Sequence, residues 1–264
     1  MKLKVDDIDV NYREVGSGKP LVLIMGFTGT IDSWVPTFVD PLAADSKVVM
    51  FDNRGTGETS EGARDFTIVQ FAEDTAGFLR ELGLAKVDVL GWSMGGFIAL
   101  ELATRYPDLV VNMVLVSSYC GGEKAILIDP GIMSEMADMS GSNRDIISRH
   151  LKLLFPGKWL EENADAVQQL LSIPAVFPPI EVVEKQAAAI NGWPGVWSLL
   201  PQVERQVLLL CGTDDIVISP ENSAIMADRL PHSRLVQLDG CGHGAIFQEP
   251  EKSASIIQEF LAED

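Results

Sequence analysis

Short apolar runs of strand length alternate along the chain with stretches whose apolar residues recur every three or four positions. The runs are Ile8 to Val15, Pro20 to Met25, Lys47 to Asp52, Lys86 to Leu90, Val110 to Ser117, Arg205 to Cys211 and Arg234 to Leu238. Several are continuously apolar, the pattern of strands covered on both faces. Between them Ile68, Phe71, Ala72, Thr75, Phe78, Leu79 and Leu82 lie at helical spacing, behind a Thr67-x-x-Gln70 capping box and ahead of Gly83 as a stop. Further helices are expected from about Met94 to Tyr106, from near Ser219-Pro220, and over about Glu251 to Ala262. Strands and helices alternating in this order predict an α/β fold, a mostly parallel sheet flanked by helices.

The alternation breaks between about Cys120 and Gln202. That stretch offers no convincing strand, several short helical patterns, and breakers at Pro130, Gly131, Pro156, Gly157, Pro174, Pro178, Pro179, Pro194 and Gly195. The predicted organisation is therefore a core domain made of residues 1–119 and 203–264, with residues 120–202 inserted as a helical unit.

Composition narrows the function classes. The chain has 264 residues, with 20 Lys+Arg against 38 Asp+Glu and a formal net charge of −18. That sign disfavours nucleic acid, which is gripped by clustered Lys and Arg. The strongest apolar stretch, Leu21 to Phe27, falls far short of the ~20 residues that span a bilayer, so no membrane insertion is expected. No apolar segment follows Lys2 and Lys4, so no secretory signal is expected, and Cys120, Cys211 and Cys241 read as reduced thiols of a cytoplasmic protein. No cluster of His, Cys, Asp and Glu has ligand spacing, and neither a metal nor a cofactor is predicted.

The chemistry is concentrated at three strand ends. Lys86 to Leu90 runs into Gly91-Trp92-Ser93-Met94-Gly95, the chain's only Gly-x-Ser-x-Gly, and a helix follows at once. A sharp strand-to-helix turn of this kind projects a serine hydroxyl as a nucleophile. Such a hydroxyl needs a base to take its proton. Of three histidines, His150 falls in the insertion and His232 in a helix-to-strand connection, where an exposed or capping role is expected. His243, in Gly240-Cys241-Gly242-His243-Gly244 after the last strand, is at the sheet end where ligands of such folds bind. The histidine needs a carboxylate in turn. Gly212-Thr213-Asp214-Asp215 supplies two after the penultimate strand; Asp215 is preferred, with Asp214 bracing the turn. Asp52-Asn53-Arg54-Gly55 offers Arg54 as a candidate anion-binding side chain.

With these motifs in the order Ser93, Asp215, His243, the chain resembles the α/β-hydrolase family over nearly all its length outside the insertion. Leu21-Val22-Leu23-Ile24-Met25-Gly26-Phe27 and Asp52-Asn53-Arg54-Gly55-Thr56-Gly57 add to the likeness, which implies that the second is a structural turn rather than an anion site for Arg54. The resemblance implies the α/β-hydrolase fold and an oxyanion hole made by the backbone N–H groups of Phe27 and Met94. It also implies that the insertion is a cap over the active site. In that case Met133, Met136, Phe155, Trp159, Phe177, Trp193 and Trp197, together with Trp92, are candidates to line an apolar substrate pocket. One departure stands out: the family usually has His-Gly where this chain has Met25-Gly26, so whatever orients the oxyanion loop must come from elsewhere.

The implied activity is hydrolysis of carboxylic esters of small to medium, largely apolar substrates through an acyl-enzyme. Opening of a lactone, as by enol-lactonases, and cofactor-free perhydrolysis use the same residues. Carbon–carbon bond hydrolases resemble the chain too, but usually carry Asn where Trp92 stands. A small-molecule binding protein that kept the fold is the reading from a different class.

Overall fold

In the computed structural model, which describes residues 1–172 and 176–263, eight strands form one sheet. They are β1 (Lys2–Val5), β2 (Ile8–Val15), β3 (Lys19–Ile24), β4 (Ser46–Phe51), β5 (Val87–Trp92), β6 (Val110–Val116), β7 (Gln206–Gly212) and β8 (Ser233–Leu238). The spatial order is β1-β2-β4-β3-β5-β6-β7-β8. Only the β1–β2 and β2–β4 pairs are antiparallel; β4 through β8 run parallel.

The helices are α1 (Pro36–Asp45), α2 (Ile68–Glu81), α3 (Met94–Arg105), α4 (Pro130–Ala137), α5 (Asn143–Leu154), α6 (Gly157–Glu162), α7 (Ala164–Ser172), α8 (Ile180–Asn191), α9 (Glu221–Ala227), the single turn α10 (Ala245–Gln248) and α11 (Pro250–Ala262). The side-chain alternation of a strand sorts its residues onto two cores. From β3, Leu21 and Leu23 join Phe38 and Leu42 of α1 and Ile257 and Phe260 of α11. Val22 and Ile24 join Phe71 and Phe78 of α2 and Phe97 and Ile98 of α3 on the opposite face. Burial on both faces accounts for the unbroken apolar run, and each such side chain contributes roughly 1.5–3 kcal/mol of transfer free energy.

The seven expected strands all form, with ends within two residues of those read from the sequence. Three elements were not legible: β1, α1 and the single turn α10. β1 is a four-residue strand at the sheet edge carrying Lys2 and Lys4, too short to show alternation. Helix α1 holds Pro36 in its first turn, where a missing N–H costs nothing, but also Pro41 in its interior, which ordinarily signals an interruption. The expected capping box of α2 forms by half: Thr67 Oγ1 accepts from Gln70 N–H, while the Gln70 side chain donates to Asp74 instead.

Between β6 and β7 the described residues hold α4 to α8 and no strand. Pro174 lies outside the described residues; Pro130, Pro156 and Pro179 each stand at a helix N-terminus. The effect of this arrangement is that the loops after β3, β5, β7 and β8 meet at the carboxyl edge of the sheet, beneath the inserted helices.

Candidate active site

Ser93 stands between β5 and α3 at φ 56°, ψ −121°. For a residue with a Cβ this conformation is strained, on the order of 1–3 kcal/mol, and persists only where the surroundings impose it. Here Ser93 N–H donates to Val116 O at 2.9 Å, while its carbonyl accepts from Gly96 N–H at 2.8 Å and from Ser118 Oγ at 3.1 Å. The flanking glycines are steric necessities: a Cβ on Gly91 would lie 2.3 Å from Gly95 O, and one on Gly95 would lie 2.0 Å from Ile24 O.

His243 follows β8 and is buried with its Nδ1 2.8 Å from Asp215 Oδ2. A carboxylate only accepts, so this bond places a proton on Nδ1 and leaves Nε2 as the ring nitrogen available to a second partner. Asp215 is fixed from its other oxygen, which accepts from Val217 and Ile218 N–H at 2.9 Å each. Asp214 is exposed and bonded to Thr213 Oγ1. The histidine loop is pinned from two sides: Trp92 Nε1 donates to His243 O at 3.1 Å, and Gly244 N–H donates to Leu154 O of α5 at 2.8 Å. Cys241 is an ordinary buried thiol, pushed up to about 11 by burial.

Ser93 and His243 share the wall of one cavity of about 210 Å³. Among the described residues the Ser93 hydroxyl makes no hydrogen bond of its own. The loop after β3 reaches the same place, since a Cβ on Gly26 would lie 3.1 Å from Ser93 Cβ. Phe27 lines the cavity, and neither its N–H nor that of Met94, at the first turn of α3, has a partner among the described residues. Two unpaired donors flanking a strained serine make an environment suited to developing negative charge.

A family model described as the alpha/beta hydrolase fold matches residues 19–146, and a second, described as TAP-like protein, matches residues 191–263. A Mycobacterium tuberculosis protein named as a candidate non-heme bromoperoxidase is 31% identical, covering 97% of this chain and 98% of that one. The chain belongs to the α/β-hydrolase fold family. Two solved hydrolases of this fold superimpose closely. An esterase from Thermogutta terrifontis gives a TM-score of 0.85 at 24% identity, over 99% of this chain and 98% of that one. An enol-lactonase from Burkholderia xenovorans gives 0.86 at 21% identity, over all of both chains.

Within this α/β-hydrolase fold the predicted pocket residues divide. Trp92, Met136, Phe155 and Phe177 line the cavity. Met133, Trp159, Trp193 and Trp197 do not, which corrects the sequence expectation. Trp193 stacks on Phe97 with ring centroids 5.0 Å apart and donates its indole N–H to Glu101 at 2.8 Å, so it belongs to the core of the sheet domain. Met133 is buried in that same core. Trp159 stacks on the outside of Phe155, and Trp197 lies under Arg229. Bulky apolar character marks burial, and burial in a core is the commoner fate.

His150, for which the sequence suggests an exposed or capping role, caps the last turn of α4 through Met136 O and in addition lines the cavity, which the sequence reading did not give it. Its Nε2 is 3.1 Å from Met136 O, and burial pushes the ring below the usual imidazole range. The signal was present: His150 sits at helical spacing from Ile147 and Leu154 on the inward stripe of α5. Arg54 is structural, as expected. Its buried guanidinium donates to Asp7 and Asp74 and to Glu61 O, leaving no face for an anion.

Proposed function

We propose that the protein is a serine hydrolase of small, largely apolar carboxylic esters. The observation that carries this reading is the 2.8 Å contact of His243 with Asp215, in a cavity that also exposes Ser93 at a strained turn. Ser93 Oγ attacks the ester carbonyl and passes its proton to His243 Nε2. Asp215 holds the ring and stabilises the imidazolium; the Phe27 and Met94 amides bind the tetrahedral oxyanion. Collapse expels the alcohol, which takes the proton from His243, and water repeats the sequence on the acyl-enzyme. In this reading the hydrogen bond from Ser93 Oγ to His243 Nε2 forms when substrate enters, since catalytic hydrogen bonds are often made good only in the substrate complex.

Residues 120–202 act as a cap: Met136, His150, Phe155 and Phe177 all face the cavity from this segment. At about 210 Å³ the cavity lies below the roughly 300–1,000 Å³ of sites for drug-sized ligands, which favours short acyl and alcohol groups. Trp92 in place of Asn argues against carbon–carbon bond hydrolysis. The test is hydrolysis of p-nitrophenyl acetate and butyrate together with fluorophosphonate labelling. Turnover and a covalent adduct are expected for the wild type and neither for Ser93→Ala; residual turnover near wild-type level in that variant would remove the reading, and a folded wild type without adduct would favour a binding role.

The relative named as a candidate non-heme bromoperoxidase favours a second reading on the same residues. Hydrogen peroxide instead of water attacks the acyl-enzyme, giving a peracid and free Ser93. Bromide oxidation that requires acetate, peroxide and Ser93 together is its signature.

A further inference from the structure

Among the described residues the Phe27 N–H has no partner, while its neighbours in the loop after β3 are bound. Met25 O accepts from Asn53 Nδ2 at 2.9 Å, Gly26 O from Gly29 N–H at 3.4 Å, Ser33 Oγ from Thr30 N–H at 3.2 Å, and Asp52 Oδ1 from Ile31 N–H at 2.8 Å. At the centre of the loop Thr28 has φ 58°, a left-handed conformation that β-branched residues avoid. Something must hold it there.

The restraint comes from 158 residues away. Gln186 Oε1, on α8, accepts from Thr28 N–H at 2.9 Å, and both groups are buried. Gln186 is fully buried, and among the described residues its Nε2 has no partner. A buried amide with unpaired donors costs stability, so packing alone does not explain a glutamine here. Helix α8 is itself seated by buried Val182 and Val183 and by Lys185, which pairs with Glu61 and lies over the Phe66 ring.

We propose that Gln186 is a positioning residue that holds the oxyanion loop in its working shape, in the place of the orientation this chain lacks with Met25 before Gly26. The inference rests on the serine-hydrolase reading. By fixing the amide one residue beyond Phe27, Gln186 fixes the peptide that aims the Phe27 N–H at the substrate oxygen. An inserted helix thereby sets the shape of a loop belonging to the sheet.

The test is steady-state hydrolysis of p-nitrophenyl butyrate by the full chain. Gln186→Met keeps length and volume and removes the acceptor. Its kcat is expected to fall about 10- to 100-fold with KM within about 2-fold, under the ceiling of about 10²–10³ for outright loss of an oxyanion donor. Val183→Ala loosens the same helix without touching the Thr28 bond; it should lower the melting temperature yet keep kcat within about 2-fold. Unchanged kcat in Gln186→Met, or an equal loss in both variants, overturns the inference. If Gln186→Met does not fold, Gln186→Asn, which withdraws the acceptor by one methylene, is judged by the same two outcomes. Fluorophosphonate labelling separates the levels: a folded wild type that takes no label defeats the hydrolase reading and this inference with it, whereas a labelled wild type beside an unimpaired Gln186→Met defeats the inference alone.

Discussion

In the proposed reaction Asp215 orients His243 with one oxygen while the other anchors its own turn. Oδ1 is held by two backbone N–H groups and Oδ2 faces His243 Nδ1. Asp215→Asn keeps the volume and can keep one oxygen on the Val217 and Ile218 amides, but it then presents an N–H to Nδ1. The ring must turn its proton to Nε2, the nitrogen that has to accept from Ser93. A fall in kcat of about 10⁴-fold is expected with little change in melting temperature; a loss smaller than about tenfold in p-nitrophenyl butyrate turnover would show that the carboxylate does not set the tautomer. Ser93, Asp215 and His243 were legible because each follows a strand end in a short glycine-bearing segment. His150 was legible only in part: its spacing from Ile147 and Leu154 puts it on the apolar stripe of α5, but that this stripe faces the cavity is decided by tertiary packing. Gln186 gave no signal at all: its partner is a backbone amide, and backbone amides are invisible to residue type.

At the scale of elements, the strand-to-helix turn and the helix C-terminus use glycine for different reasons, and substitution separates them. Gly95 is needed for close approach, since its Cβ would fall 2.0 Å from the Ile24 carbonyl of the neighbouring strand, which is backbone and cannot swing aside. Gly83 ends α2 at φ 75° with nothing within 4 Å of a Cβ, so only the left-handed conformation resists replacement. Gly83→Ala should cost about 1–2 kcal/mol in urea unfolding. Gly95→Ala carries no left-handed cost but overpacks against rigid backbone, so it should cost about 3 kcal/mol or more and also displace Ser93, lowering activity before stability is exhausted. Similar costs for both would mean that the turn is softer than its geometry implies. The parallel strands were readable because burial on both faces demands unbroken apolar runs. β1 escaped because it is short and lysine-bearing, and α1 because Pro41 obeys a local rule that the packing of Phe38 and Leu42 overrides.

Across the whole molecule, Arg54 binds parts that are distant in sequence. Its guanidinium forks onto Asp74 of α2 and onto Asp7 in the β1–β2 turn, and Asp7 also accepts from Ala63 and Arg64 N–H. The N-terminal hairpin is thus tied to the loop after β4 and to α2 through one buried charge. The hydrogen bonds from Arg54, with the two amides assisting against the cost of burial, hold the Asp7 carboxyl well below the usual carboxylate range. A folded-state value below the unfolded one stabilises the protein at pH values above the unfolded value, and the contribution is lost as pH falls towards the folded one. Asp7→Asn should therefore be less stable than wild type at pH 7, by about 1.5–3 kcal/mol for a charge-assisted bond. The gap should narrow by roughly 1.4 kcal/mol for each pH unit below about 4. Salt discriminates this from the general effect of the −18 net charge. Screening relieves repulsion among exposed carboxylates, so added sodium chloride should raise the stability of both proteins together. It should barely alter the difference between them, because Arg54 is shut away from solvent. Urea midpoints at pH 7 and pH 3, each at low and high salt, are the measurement; a gap that ignores pH, or one that collapses with salt at pH 7, would show that Asp7 acts by packing or by surface charge instead of through the buried guanidinium.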